Sequence, residues 1–202
     1  EHRALAKGLH SLAVPNSADN NVSLINPETG RTLAIKAGNE PAVVAIANWD
    51  GQDRMLIIGN KASNTVTLHN LDTGVPVTLS NVGQTPTDAV LDPASNRVFI
   101  TMAGSNDVAV IDYRQQKLVT RIAVGQRPVH LYSMPGQTPA EIWVGNDAGN
   151  SISILDSAAP KLKATLPVGK GHHKMAFSSG KAFVSNISDG TVSVIDRSHL
   201  SL

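Results

Sequence analysis

One segment recurs five times in this chain without a gap: NVSLIN, TVTLHN, DVAVID, SISILD and TVSVID, ending at Asn26, Asn70, Asp112, Asp156 and Asp196. The ends are 44, 42, 44 and 40 residues apart. Self-similarity at a fixed period marks a repeat architecture, and a unit of this length holds roughly four short strands. Within the segments Val22/Leu24, Val66/Leu68, Val108/Val110, Ile152/Ile154 and Val192/Val194 share one face at period two. The opposite face carries Ser23, Thr67, Ala109, Ser153 and Ser193, followed by Ile25, His69, Ile111, Leu155 and Ile195. Both faces are apolar or small, as a strand requires when its sheet packs against a neighbour on each side.

The flanking segments repeat as well. LAVPN, LIIGN, FITMA, IWVGN and FVSN precede the shared strand, and polar alternating stretches such as KLVTRIAV and KLKATLPV follow it. A fourth strand reads PAVVAIA, PTDAVLD, PVHLYS or HHKMAF, each led by a Gly-containing turn. Four strands per unit predict an all-β chain of four-stranded antiparallel β-propeller blades, and no long helical period competes. The expected organisation is a single repeat array over residues 1–202 with a poorly patterned lead-in at 1–10. Its blades run over 11–38 (partial), 41–83, 86–125, 128–169 and 172–202 (partial). Five blades with incomplete ends would leave open edges and uncovered faces, so a larger ring is expected. A chain opening on Glu1 is expected to be a processed or truncated product.

The stretches VFITMAGSNDVAVID, IWVGNDAGNSISILD and AFVSNISDGTVSVID, each followed by a strand and Val-Gly, resemble the YVTN-repeat β-propellers. The resemblance covers about Ser11 to Asp196. It implies a mostly seven-bladed ring in a secreted or periplasmic protein, similar to the haem domains of cytochrome-type nitrite reductases and to periplasmic metal-handling propellers. The family motif is structural, so no catalytic residue comes with it.

Composition removes several functions. A net charge of +1 with no run of like charges argues against nucleic acid as partner. No apolar stretch reaches the ~18 residues of a membrane-spanning helix. With no cysteine, disulfides, thiolate metal sites, a Cys nucleophile and CxxCH haem attachment are excluded. Aromatic residues make up only 3%, too few to build stacking platforms for bases or sugars. No G-x-S-x-G elbow or phosphate loop is present, and no residue is assigned as catalytic.

Binding residues are expected in the turns that enter the inner strands, which converge on one mouth of the channel. Five residues after Gly38, Gly83, Gly125 and Gly169 stand Val43, Asp88, His130 and Lys174. Three residues after the same glycines stand Pro41, Pro86, Pro128 and His172, with His173 next. Asp88, His130, His172 and His173 are therefore the candidate metal ligands, imidazole and carboxylate being chemistry for zinc or copper. His10 is a possible addition to this rim. A haem is the alternative cofactor, taking one histidine axially while Arg127 and Lys174 pair its carboxylates. A plain polar rim, on a scaffold protein without a small ligand, is the competing explanation, because adjacent His173 and His172 point to opposite faces of an extended segment. His69 is read as a hydrogen-bonded histidine between blades. The Asn/Asp/Gly-rich turns, GNDAGN among them, are assigned to turn geometry and not to ligand binding. The expected function is a non-catalytic propeller outside the cytoplasm that binds a protein partner or a metal ion at this mouth.

Overall fold

The computed structural model describes residues 11–199. The described residues form five antiparallel sheets, each a simple up-and-down meander. Blade one holds β1 (Leu12–Asn16), β2 (Asn21–Ile25) and β3 (Thr32–Lys36). Blade two holds β4 (Pro41–Trp49), β5 (Gln52–Asn60), β6 (Thr65–Asn70) and β7 (Pro76–Leu79). Blade three follows with β8 (Pro86–Asp92), β9 (Arg97–Met102), β10 (Asp107–Asp112) and β11 (Lys117–Ala123). Blade four comprises β12 (Pro128–Ser133), β13 (Glu141–Asn146), β14 (Ser151–Asp156) and β15 (Lys161–Pro167), and blade five β16 (Met175–Ser178), β17 (Lys181–Asn186) and β18 (Thr191–Asp196). The chain is a β-propeller array, and its first strands β4, β8 and β12 lie side by side. The lead-in with His10 lies outside the described residues.

The repeated Asn or Asp has a local reason. Oδ1 of Asn26, Asn70 and Asp156 each accepts the N–H groups two and three residues on, closing the turn to the outer strand. A second asparagine ends the strand before it. Nδ2 of Asn60 donates to Thr65 and Thr67, Nδ2 of Asn146 to Ser151 and Ser153, and Nδ2 of Asn186 to Thr191 and Ser193, at 2.9–3.1 Å. The small hydroxyl residues on the second face of the repeat strand are thus partners for a buried amide. Blade three departs from this, with Met102 at the asparagine position and an Asp107–Arg121 ion pair beside it.

The core is a series of slabs between successive blades. Val22 and Leu24 pack with Leu56 and Ile58, and Val66 and Leu68 with Val98 and Ile100. Phe99, Val108 and Val110 pack with Ile142 and Val144. Trp143, Ile152 and Ile154 pack with Ala182 and Val184. Burial of each such aliphatic side chain stabilises by about 1.5–3 kcal/mol, so the repeat sequence translates directly into interblade adhesion.

One predicted strand is shorter than its sequence. The HHKMAF segment pairs only from Met175, leaving His172–Lys174 outside the ladder. The amides of His173 and Lys174 donate to the side chains of Asp147 and Ser185 instead. Gly171, at φ +105, turns the chain there, and a Cβ on it would lie 2.6 Å from the amide nitrogen of Ser188. The segment therefore enters the blade as a shaped loop.

Candidate functional site

His130 sits two residues into β12, at the bulge between Pro128 and His130 where the pairing with β13 shifts register. His172 stands on the entry loop of blade five, one residue after Gly171. These histidines, 42 residues apart in sequence, meet through their Nε2 atoms at 2.7 Å, with rings crossed at 81°. Each Nδ1 faces a carboxylate: Oδ2 of Asp147 lies 2.5 Å from that of His172, and Oδ2 of Asp88 lies 3.4 Å from that of His130. The four residues are supplied by blade three (Asp88), blade four (His130, Asp147) and the entry to blade five (His172).

The two carboxylates are held differently. The side chain of Asp147 is 8% exposed and its Oδ1 also accepts the amide of His173 at 3.1 Å. Asp88 is 36% exposed, accepts the amides of Ala89 and Leu131, and is the weaker partner. Burial pushes the imidazole of His130 below its ordinary range, and the ammonium of Lys174 adds to the effect against the opposing pull of Asp88. The shift favours the neutral imidazole, the form in which a ring nitrogen can donate electrons to a metal or accept a hydrogen bond.

The structure brings two of the four expected metal ligands together at their nitrogens. Asp88 stands behind His130 and not beside its Nε2. His173 is fully buried, its Nδ1 3.2 Å from the carbonyl of Ser185, and its Nε2 has no hydrogen-bond partner among the described residues. It packs so closely on Gly145 that a Cβ there would lie 3.0 Å from its own. Among the described residues, no three His, Cys, Asp or Glu side chains are grouped so as to hold a metal ion. Arg127 and Lys174 are exposed: the carbonyl of Arg127 accepts the amide of Asp147, and Lys174 follows His173 in the entry loop. His69 is buried on a blade face as expected.

Asp147 is the residue that sequence reasoning missed, because GNDAGN reads as a turn. Within that turn Asn150 carries the left-handed backbone, at φ +46. Asp147 is free of that duty, and the sequence signal that could have found it is positional: the other blades carry Ser17, Lys61, Ala103 and Ile187 there. Among the described residues, no helix is long and apolar enough to cross a membrane.

No family model matches the chain, and no curated protein does. Solved structures share its fold. A functionally unknown protein from Desulfotomaculum acetoxidans DSM 771 is similar with a TM-score of 0.67 and 15% identity, over 92% of this chain and 65% of that one. Dihydro-heme d1 dehydrogenase NirN in complex with DHE is similar with a TM-score of 0.71 and 17% identity, over 95% of this chain and 43% of that one. The chain spans less than two thirds of the length of either protein. At these identities the likeness is one of fold.

Proposed function

We propose that this propeller is a non-catalytic binding protein of the periplasm or cell exterior, whose ligand is a transition-metal centre taken up at His130 and His172. The observation that carries this reading is the convergence of two imidazole Nε2 atoms from successive blades, with the ring of His172 backed by the nearly buried carboxylate of Asp147. Metal-binding histidines are held in this way, the outer carboxylate orienting the ring and raising its basicity. Two nitrogens at about 2.0–2.1 Å from one zinc ion in tetrahedral geometry stand roughly 3.3 Å apart, so the pair would open slightly to admit an ion. His172, with a side chain 39% exposed, has the room to do so. Water or an incoming partner would complete the coordination of zinc or copper. The extracytoplasmic placement rests on the resemblance to YVTN-repeat propellers and is checked by cell fractionation.

A haem is the second form of the same chemistry. The structural neighbour described in complex with DHE favours it, as do the exposed Arg127 and Lys174, which would pair with the carboxylates of a macrocycle. Metal content by mass spectrometry, measured beside a visible spectrum for wild type and His130→Ala/His172→Ala, separates the possibilities. Stoichiometric zinc or copper that is lost in the variant is the expected result. An absorbing haem lost in the variant would move the second form to the front. A colourless, metal-free protein that takes up neither zinc nor copper nor haem on titration would overturn both and leave a scaffold.

A further inference from the structure

Two departures from the repeat meet at His172. Where it stands, the other blades carry Pro41, Pro86 and Pro128. Where Asp147 stands, just after the second strand of the blade, they carry Ser17, Lys61, Ala103 and Ile187. The backbone task of this position is common to three blades: Lys61, Ala103 and Asp147 donate their amides to the carbonyls of Glu40, Thr85 and Arg127. A carboxylate is therefore not needed for the turn. Yet that of Asp147 is nearly buried and uses both oxygens, one on Nδ1 of His172 and one on the amide of His173.

An ionised carboxylate only accepts, so Nδ1 of His172 must be the donor. A neutral ring protonated at Nδ1 has its lone pair at Nε2. In the 2.7 Å contact between the rings His130 then donates through its Nε2–H and His172 accepts. Asp88 does not reverse this order, because its 3.4 Å contact with His130 is long and its oxygen is shared with the amide of Leu131.

We infer that Asp147 is the positioning residue of this mouth: it holds His172 in the Nδ1–H form, presents Nε2 of His172 as the electron-pair donor, and sets the direction of the His130–His172 hydrogen bond. The inference rests on the reading of this pair as the binding site, since its functional consequence is a nitrogen made ready for a metal.

Asp147→Asn tests it with almost no change in size. The amide oxygen still accepts from His173, while the amide N–H now points at Nδ1 of His172, which must become the acceptor. Long-range proton–nitrogen spectra of the full chain at about pH 8, where imidazoles are neutral, report the tautomers, with His172→Gln assigning the signals. The wild type is expected to show Nδ1–H at His172 and Nε2–H at His130, and the variant the reverse of both. Zinc titration of the same samples is expected to weaken by about 10–100-fold in the variant. Asp147→Ser, which offers neither carboxylate nor amide, is expected to give a mixture of both forms and replaces the first variant if that one does not fold. An Nε2–H tautomer at His172 in the wild type, or one tautomer unchanged across the variants, overturns the inference even if zinc binds. A tautomer that switches in a protein without affinity for zinc leaves the role of Asp147 standing and removes the metal reading.

Discussion

Blades four and five carry nearly the same strand and bury it in opposite ways. SISILD and TVSVID pair in the same register, Val144 facing Ser153 and Val184 facing Ser193. Ile152 and Ile154 are 0% and 1% exposed, whereas Val192 and Val194 are 61% and 56% exposed. Trp143 and Phe183 stand at equivalent positions and differ likewise, at 0% and 38%. What changes is the neighbour. Ala182 and Val184 of blade five cover blade four, and no sheet of the described residues covers blade five. In blade one Leu12 and Val14 are exposed while their equivalents Leu56 and Ile58 are buried. A strand with two apolar faces gains most of its stability from interfaces, as in any quasi-linear array of repeats.

The largest test of this comparison is Ile154→Ala, expected to cost about 2–5 kcal/mol because the cavity opens inside a closed interblade slab. Urea denaturation read by circular dichroism measures it. A loss below about 1 kcal/mol would mean that the slab between blades four and five is loosely packed in solution.

Glu141 probes the same junction through charge. Its carboxylate, on β13, accepts from Lys163 of its own blade at 2.5 Å and from Arg197 beyond β18 at 3.0 and 3.1 Å. Burial raises its pKa, but the pairs with Arg197 and Lys163 outweigh this and hold it below the ordinary range. Glu141→Gln is expected to cost about 1.5–3 kcal/mol at neutral pH. With the folded pKa below the unfolded one, this stabilisation is complete above the unfolded value near pH 4.3 and is lost as pH falls through the folded value. Denaturation midpoints of wild type should therefore drop toward those of the variant in acid, and two parallel curves would refute the assignment.

Val194→Ala is the smallest effect, within about 0.5 kcal/mol, as for an exposed substitution. A loss approaching that of Ile154→Ala would show that the face of blade five is covered in solution.

The strands were legible because alternation at period two is a local property, and the turns because Asn26, Asn70 and Asp156 serve the backbone two and three residues ahead. His172 was legible as a departure from the repeated proline, and Asp88 and His130 as polar residues at one shared position of successive blades. Their grouping was only half legible: equivalent positions in successive blades must be neighbours, but a side chain's direction depends on the local backbone. The bulge at His130 and the unpaired entry at His172 brought two crossed rings together at their Nε2 atoms. His173 went instead to the carbonyl of Ser185.

By itself the sequence determined the all-β fold class and the recurring strands, since both follow from periodicity and from spacing along the chain. Tertiary structure alone decided which nitrogens meet, which carboxylate holds which ring, and which of five similar strands are buried. Those outcomes depend on atoms more than twenty residues apart, brought within hydrogen-bond reach by the packing of one blade on the next.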